Sequence, residues 1–311
     1  MSAVALAGVG ALLAATACSS GAAVSASPPG AAGKPAVLAA FYPLQWMTDL
    51  VGGPDVAVTA LTRPGVEPHD LELTPRQIAD IERADLVVYV KGVQPALDEA
   101  VEQHAADRAF DVASAVPTIP AAGEDAHAEE AAAEHEEHEE VGYDPHVWLD
   151  PSRLASAVAK LGERLGQADS ARAAAFTQRA TTTAAQLRAL DGEFESGLAD
   201  CSSRTIVTSH AAFGYLADRY KLKQVGISGI DPEAEPSPAR LAEVARVARQ
   251  ERVTTIFTEE LVNPKVAEVL ATEVGAKTAV LNPLESRPQT GDYLSASRAN
   301  LSALRTALGC R

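Results

Sequence analysis

From Pro151 to Ala199 the chain runs almost without proline and is rich in Ala, Leu, Arg, Gln and Glu, and on either side of that stretch short apolar runs alternate with helix-like ones. This alternation is the tightest constraint on the fold. Successive strands separated by helices lie parallel in one sheet, and the helices then cover both of its faces. Ahead of the divide, strands are predicted at Ala36–Ala40, Val56–Leu61 and Leu86–Val90. Helices are predicted at Phe41–Val51, Thr74–Ala84 (Thr74 as cap, Pro75 at the first position) and on to about Ala105. Beyond it, strands are expected at Thr205–Thr208, Lys223–Ile227, Thr254–Thr258 and Thr278–Leu281. The matching helices are Ala212–Tyr220, Pro238–Gln250, Pro264–Val274 and one near Asp292–Leu308. The divide itself reads as two helices, with Asp169-Ser170 marking the second start. A second helix of about 30 residues would span ~45 Å, enough for a stiff connector between domains. The expected fold class is α/β, with two Rossmann-like parallel-sheet lobes at 36–150 and 200–311 joined by a helical linker at 151–199.

The ends and one internal run depart from this pattern. Residues 3–17 are almost wholly Ala, Val, Leu and Gly and close on Ala15-Thr16-Ala17-Cys18. The run is too short to span a membrane, and small residues before a cysteine suit signal cleavage. Residues 1–18 resemble a bacterial lipoprotein signal, which would make Cys18 the acylated residue; the bland alternative is a buried Ala-rich helix. Residues 19–35, rich in Ser, Ala, Gly and Pro, read as a flexible tether. Residues 121–140 are nearly all Ala, Glu and His, and nine acidic groups fall within 124–140, more than half of the net charge of −16. No apolar face recurs there and like charges repel, so the segment reads as a solvated acidic loop. The negative charge and sparse aromatic residues argue against a nucleic-acid partner. With Cys18 set aside, Cys201 and Cys310 form an even pair in a chain expected to meet an oxidising compartment, either bridged or as two free thiols.

Seven histidines carry most of the chemical signal. His127, His135 and His138 lie in the acidic segment. His210 directly follows a predicted strand, and His69 follows another through a proline-bounded turn. His146 sits in Asp144-Pro145-His146-Val147-Trp148-Leu149-Asp150. In open α/β sheets the ligand crevice lies beyond the carboxyl ends of the strands, where Glu259 and Asn282 also fall. Three imidazoles brought together suit Zn²⁺, whereas Mg²⁺, Ca²⁺ and Mn²⁺ prefer oxygen-rich shells. The spacings match no local zinc motif, so convergence depends on the fold, and each histidine alone reads equally as a hydrogen-bonded loop residue. His104 has no partner pattern and reads as structural. Asp70, Asp144 and Asp150 are each placed either to accept a hydrogen bond from a nearby imidazole or to cap a helix.

Residues 36–311 resemble the zinc- and manganese-binding proteins of ABC importers. The resemblance rests on Phe41-Tyr42-Pro43-Leu44, Pro64-Gly65-Val66-Glu67-Pro68-His69-Asp70-Leu71-Glu72, the Asp144–Asp150 segment, Ser209-His210-Ala211-Ala212-Phe213-Gly214-Tyr215 and Leu281-Asn282-Pro283-Leu284. It implies a metal site in the cleft between two lobes, with His69, His146 and His210 as ligands and Asn282 or Glu67 (or water) as the fourth. Manganese-selective relatives usually carry Glu and Asp at the third and fourth positions, so His210 and Asn282 point to Zn²⁺ as the transported ligand. Zinc members often carry a histidine-rich acidic insert between the first two ligand histidines, as here. Such an insert either holds Zn²⁺ loosely near the cleft or only adds solubility. The implied function is an extracytoplasmic, lipid-anchored, monomeric binding protein that serves an ABC permease and its ATPase and is not an enzyme. The rival readings are a manganese-binding member, a zinc hydrolase with Glu67 or Glu259 as base, and a surface adhesin.

Overall fold

The computed structural model describes residues 33–121 and 141–311; Cys18, His127, His135 and His138 lie outside them. The first lobe is built from β1 (Ala36–Ala39), α1 (Tyr42–Gly52), β2 (Ala57–Ala60), α2 (Pro75–Arg83), β3 (Leu86–Tyr89), α3 (Pro95–His104) and β4 (Ala109–Asp111). Its sheet has the order β2-β1-β3-β4 and every pairing is parallel, with Val37 opposite Val58 on one side and Leu86 on the other. Both faces are covered, so the inner strands read as continuous apolar runs: Val37, Leu38, Ala39, Val87 and Val88 are all buried. Strand β4 is too short and too mixed in polarity to have signalled itself in the sequence.

Two antiparallel helices follow, α4 (Pro151–Ala168) and α5 (Ala173–Gly197), linked by a 3₁₀ turn at Ser170–Arg172. Asp150 caps α4 by accepting from the backbone N–H groups of Ser152 and Arg153. Gly162 lets the pair approach closely, since a Cβ there would stand 2.7 Å from that of Ala180. At 25 residues, α5 is about 37 Å long at 1.5 Å per residue, shorter than the ~45 Å anticipated because the first residues go into the turn. Arg179 on α5 donates to the carbonyls of Val51 and Gly52 and pairs with Asp55 in the first lobe. Further along, Asp191 accepts from Arg219 and Tyr220, and Glu193 from Arg298, in the second lobe. One helix is therefore fastened to both halves of the chain.

The second lobe contains β5 (Thr205–Thr208), α6 (Gly214–Tyr220), β6 (Lys223–Gly226), α7 (Pro238–Gln250), β7 (Thr255–Thr258), α8 (Lys265–Val274), β8 (Lys277–Val280) and α9 (Tyr293–Leu308), with a parallel sheet in the order β6-β5-β7-β8. Ser237 caps α7 and Pro238 opens it. A single apolar cluster runs from β1 and α1 through Leu154, Leu161, Phe176 and Leu190 to Phe213, Leu281, Tyr293 and Leu304. The lobes therefore share packed surface, and a second, smaller cluster (Val207, Val225, Val244, Ile256, Leu270) packs the other face of the second sheet against α7 and α8. Cys201, ahead of β5, is disulfide-bonded to Cys310, after α9, closing a separation of 109 residues. This bridge sits at the amino-terminal edge of the sheet, and the ligand-bearing loops leave the opposite edge. Replacing both cysteines by serine should lower stability to urea by about 2–5 kcal/mol, from the entropy of the opened loop, without changing metal affinity.

Candidate metal centre

His69, His146 and His210 come together where the carboxyl ends of the strands face the cleft. Their ring centroids lie 5.5 Å (His69–His146), 6.0 Å (His69–His210) and 5.3 Å (His146–His210) apart. Each is placed by its own local device. His69 stands on the loop after β2, where Gly65 takes a left-handed φ of 80°. The buried Gln94 braces that loop by donating to the Pro68 carbonyl and to Thr62 Oγ1. His146 precedes the 3₁₀ turn Val147–Leu149, and Asp144 Oδ1 accepts both its backbone N–H at 2.9 Å and its ring Nδ1–H at 2.8 Å. His210 immediately follows β5, and its carbonyl accepts from Thr208 Oγ1 and Gln224 Nε2. Glu259, just past β7, accepts the His210 backbone N–H at 3.1 Å, and its second oxygen stands 2.7 Å from Nδ1. Strands β5 and β7 are neighbours that carry the chain to opposite sides of the sheet, the switch point at which α/β ligand sites form.

The fourth donor corrects the sequence reading. Glu285, and not Glu67, completes a group of His, Cys, Asp and Glu donors whose ligand-type atoms all lie within 4.8 Å of one another. Its Oε1 is 3.5 Å from His69 Nε2 and 3.9 Å from Nε2 of both His146 and His210. Asn282 is used elsewhere: its side-chain oxygen accepts from Leu284 N, and its backbone N–H and C=O are both bonded to the Asn300 side chain. Leu284 then adopts a left-handed φ of 62°, which turns the next side chain inward. Alternation along an extended strand end gives no hint of that turn. A carboxylate one residue past the Leu281–Leu284 segment was the only available signal. Glu67 accepts the His69 backbone N–H through one oxygen, and its other oxygen is buried without a partner. Of the three aspartates, Asp144 holds an imidazole, Asp150 caps α4 and pairs with Arg153, and Asp70 is exposed. His104 pairs at the surface with Glu82.

The Nε2 atoms of all three histidines and both oxygens of Glu285 are buried without hydrogen-bond partners. His146 and His210 are fully buried, and the side chain of His69 is 8% exposed. Burial holds the His146 imidazole below its ordinary value despite Asp144, so the ring is neutral, with Nδ1–H given to the carboxylate and the Nε2 lone pair facing the centre. Burial also lowers His210, but Glu259, Glu285 and Glu67 outweigh it and push this group up to about 9. His69 is raised in the same way, chiefly by Glu285 against burial. Burial raises Glu285, yet the three imidazoles overcome it and hold the carboxyl below its usual value. Glu67 rises to about 7 through burial and the charge of Glu285.

Residues 37–307 match the family described as zinc-uptake complex component A periplasmic. The chain belongs to that family. The zinc-binding protein AdcA of Streptococcus pyogenes is 36% identical over 296 residues, covering 88% of this chain and 56% of the relative, so this family member spans little more than half of that protein's length. The high-affinity zinc uptake system protein ZnuA of Bacillus subtilis is 33% identical over 282 residues, covering 88% and 87% of the two chains. A Zn(II)-bound AdcAII variant from Streptococcus pneumoniae superposes with a TM-score of 0.77 at 30% identity, over 88% of this family member and 98% of that chain.

In metal-free protein the His210 imidazole should titrate near pH 9 by NMR. Its folded value lies above the ordinary 6.5, so its contribution to stability is complete below about pH 6.5 and is lost as pH climbs through 9. Glu259→Gln should bring the midpoint down towards 6.5 or below. A midpoint near 6.5 in the unsubstituted chain would contradict this electrostatic picture.

Proposed function

We propose that this chain is the extracytoplasmic binding component of a zinc importer of the ABC type, taking Zn²⁺ as cargo on Nε2 of His69, His146 and His210 and the carboxylate of Glu285. The observation that carries the reading is the convergence of four buried, unpartnered donors, within 4.8 Å of one another, from widely separated parts of the chain. Buried polar atoms are normally satisfied, so a group left open in concert fits a bound cation. Tetrahedral zinc with bonds near 2.0–2.2 Å needs donors about 3.3–3.5 Å apart. The 3.5–3.9 Å from Glu285 Oε1 to the three nitrogens is close to this spacing, and donors lying up to 4.8 Å apart would draw together around the ion. Three imidazoles favour zinc over manganese, which prefers oxygen-rich shells.

Four protein ligands fill a tetrahedron. A catalytic zinc keeps one position for water or substrate, so the donor set supports capture and release rather than hydrolysis. Glu259, the base that a hydrolase would need, is already engaged with His210. Release then falls to a membrane permease powered by its ATPase, and acylation at Cys18 would hold the binding protein beside them. The family match and the sequence ending in Cys18 support both statements.

Native mass spectrometry of the mature chain under competition between Zn²⁺ and Mn²⁺ tests the proposal. One tightly held zinc is expected. Glu285→Gln should weaken it roughly 10–100-fold, and His146→Ala should weaken it further. Preferential retention of manganese would overturn the zinc assignment.

The ligands must shed protons to bind, so affinity should fall with falling pH, up to about tenfold per unit for each proton displaced. Ordinary imidazoles would confine this fall to below about pH 6.5. With His210 raised to about 9, the dependence should already be present between pH 9 and 7, with net proton release on binding at pH 7 by calorimetry in buffers of different ionisation enthalpy. Flat affinity across that range would count against His210 as a ligand.

A further inference from the structure

Glu285 is the donor with the least direct support. Neither of its carboxylate oxygens accepts a hydrogen bond, so its position is set through its backbone. That backbone is strained at Leu284, whose φ of 62° is unfavourable for a residue with a Cβ and persists only where the surroundings enforce it. The bonds from Asn282 and Asn300 shape the loop from within the second lobe. They do not tie it to the histidines of the first.

Trp148 does. It lies two residues after His146, is fully buried, and packs its ring 5.1 Å from that imidazole and 4.7 Å from Phe41. Its indole Nε1–H donates at 2.7 Å to the carbonyl of Pro283, two residues before Glu285. Pro283 has no N–H, so this carbonyl is its only backbone polar group. The Trp148 carbonyl in turn accepts from the Tyr293 hydroxyl on α9. One side chain thus contacts a histidine of the first lobe and holds the strained turn that delivers the carboxylate of the second.

We propose that Trp148 is a positioning residue for the fourth ligand: its indole N–H, acting through Pro283 and Leu284, fixes Glu285 in register with His146. Without that bond the turn keeps only the exposed Gly65 N–H to Ser286 Oγ bond to the first lobe, on the far side of Glu285, and Leu284 can relax towards ordinary backbone angles and carry the carboxylate away from the three nitrogens. The inference rests on the zinc-site reading above. It adds that the histidine and carboxylate halves of the site are coupled through a buried indole bond on the Leu284 side of Glu285 rather than placed independently.

The test is a double-mutant cycle read by zinc affinity and by the visible absorption of bound Co²⁺. Trp148→Phe keeps an aromatic ring and deletes the donor. Incorporating 3-benzothienylalanine at position 148 keeps the bicyclic shape and replaces only N–H by sulfur, which covers the case in which the phenylalanine variant fails to fold. Each is expected to weaken zinc by on the order of tenfold, the usual consequence of removing a group that orients a metal ligand, and to shift the Co²⁺ spectrum towards that of Glu285→Gln. In a Glu285→Gln background the same change should alter affinity by less than about twofold, because sites acting through one ligand are non-additive. Equal losses in both backgrounds, or an unchanged Co²⁺ spectrum with lowered stability alone, would overturn the positioning role. If Glu285→Gln itself leaves zinc affinity intact, the four-ligand reading fails instead, and the two failures are told apart.

Discussion

Three imidazole nitrogens and a carboxylate face one another in a space from which water is excluded, and none has a hydrogen-bond partner of its own. An unpartnered buried polar group typically costs about 1–3 kcal/mol, and more when charged, so no fold accumulates several at one point without compensation. Part of it is electrostatic: the neighbouring carboxylates hold His210 and His69 above their ordinary values, and the imidazoles hold Glu285 below its own. A divalent cation satisfies the same atoms more completely. The arrangement of the surrounding chain follows from having to keep these groups together against their own desolvation.

The frame meets that demand by rigidity. The apolar core is continuous from the first sheet through α4 and α5 to α9, and α5 is anchored by Arg179 at one lobe and by Asp191 and Glu193 at the other. Strands of only three or four residues suffice because the central pair of each sheet, β1 with β3 and β5 with β7, is buried on both faces, while the edge strands β2 and β8 stay largely open. The functional groups sit on the connections at the strand ends, where the backbone is free to take the angles a site needs. Each inward-facing group is fixed from behind. Asp144 orients His146, Glu259 orients His210, Gln94 braces the loop of His69, and Trp148 with Asn282 and Asn300 shapes the turn of Glu285. The site closes across the cleft mouth with a hydrogen bond from Gly65 N to Ser286 Oγ at 2.7 Å.

Much of this was legible in the chain. Periodicity, prolines at helix starts and capping residues placed β5 and α7 to the residue and the other helices and strands of the second half to within a residue or two, because those signals are local and act over one turn or one strand. The family resemblance singled out the three histidines that the fold gathers. Two things escaped: β4, which is three residues long, and Glu285, in whose place the resemblance left Asn282, Glu67 or water as alternatives.

The reason for the second miss is physical. Which side chain faces inward at a strand end depends on a single backbone turn, and a left-handed leucine is not encoded by leucine itself. Leu284 is held there by an asparagine two residues back, by another on α9 eighteen residues beyond that one, and by a tryptophan that bonds its neighbouring proline from 135 positions away. The sequence alone determined the alternation of strands and helices, the two-lobed α/β class and the chemical kind of the donors, all properties of neighbouring residues and residue type. Only the tertiary structure decided which carboxylate joins the imidazoles and how their charges offset one another, because both depend on distances between groups far apart along the chain and on their common removal from water.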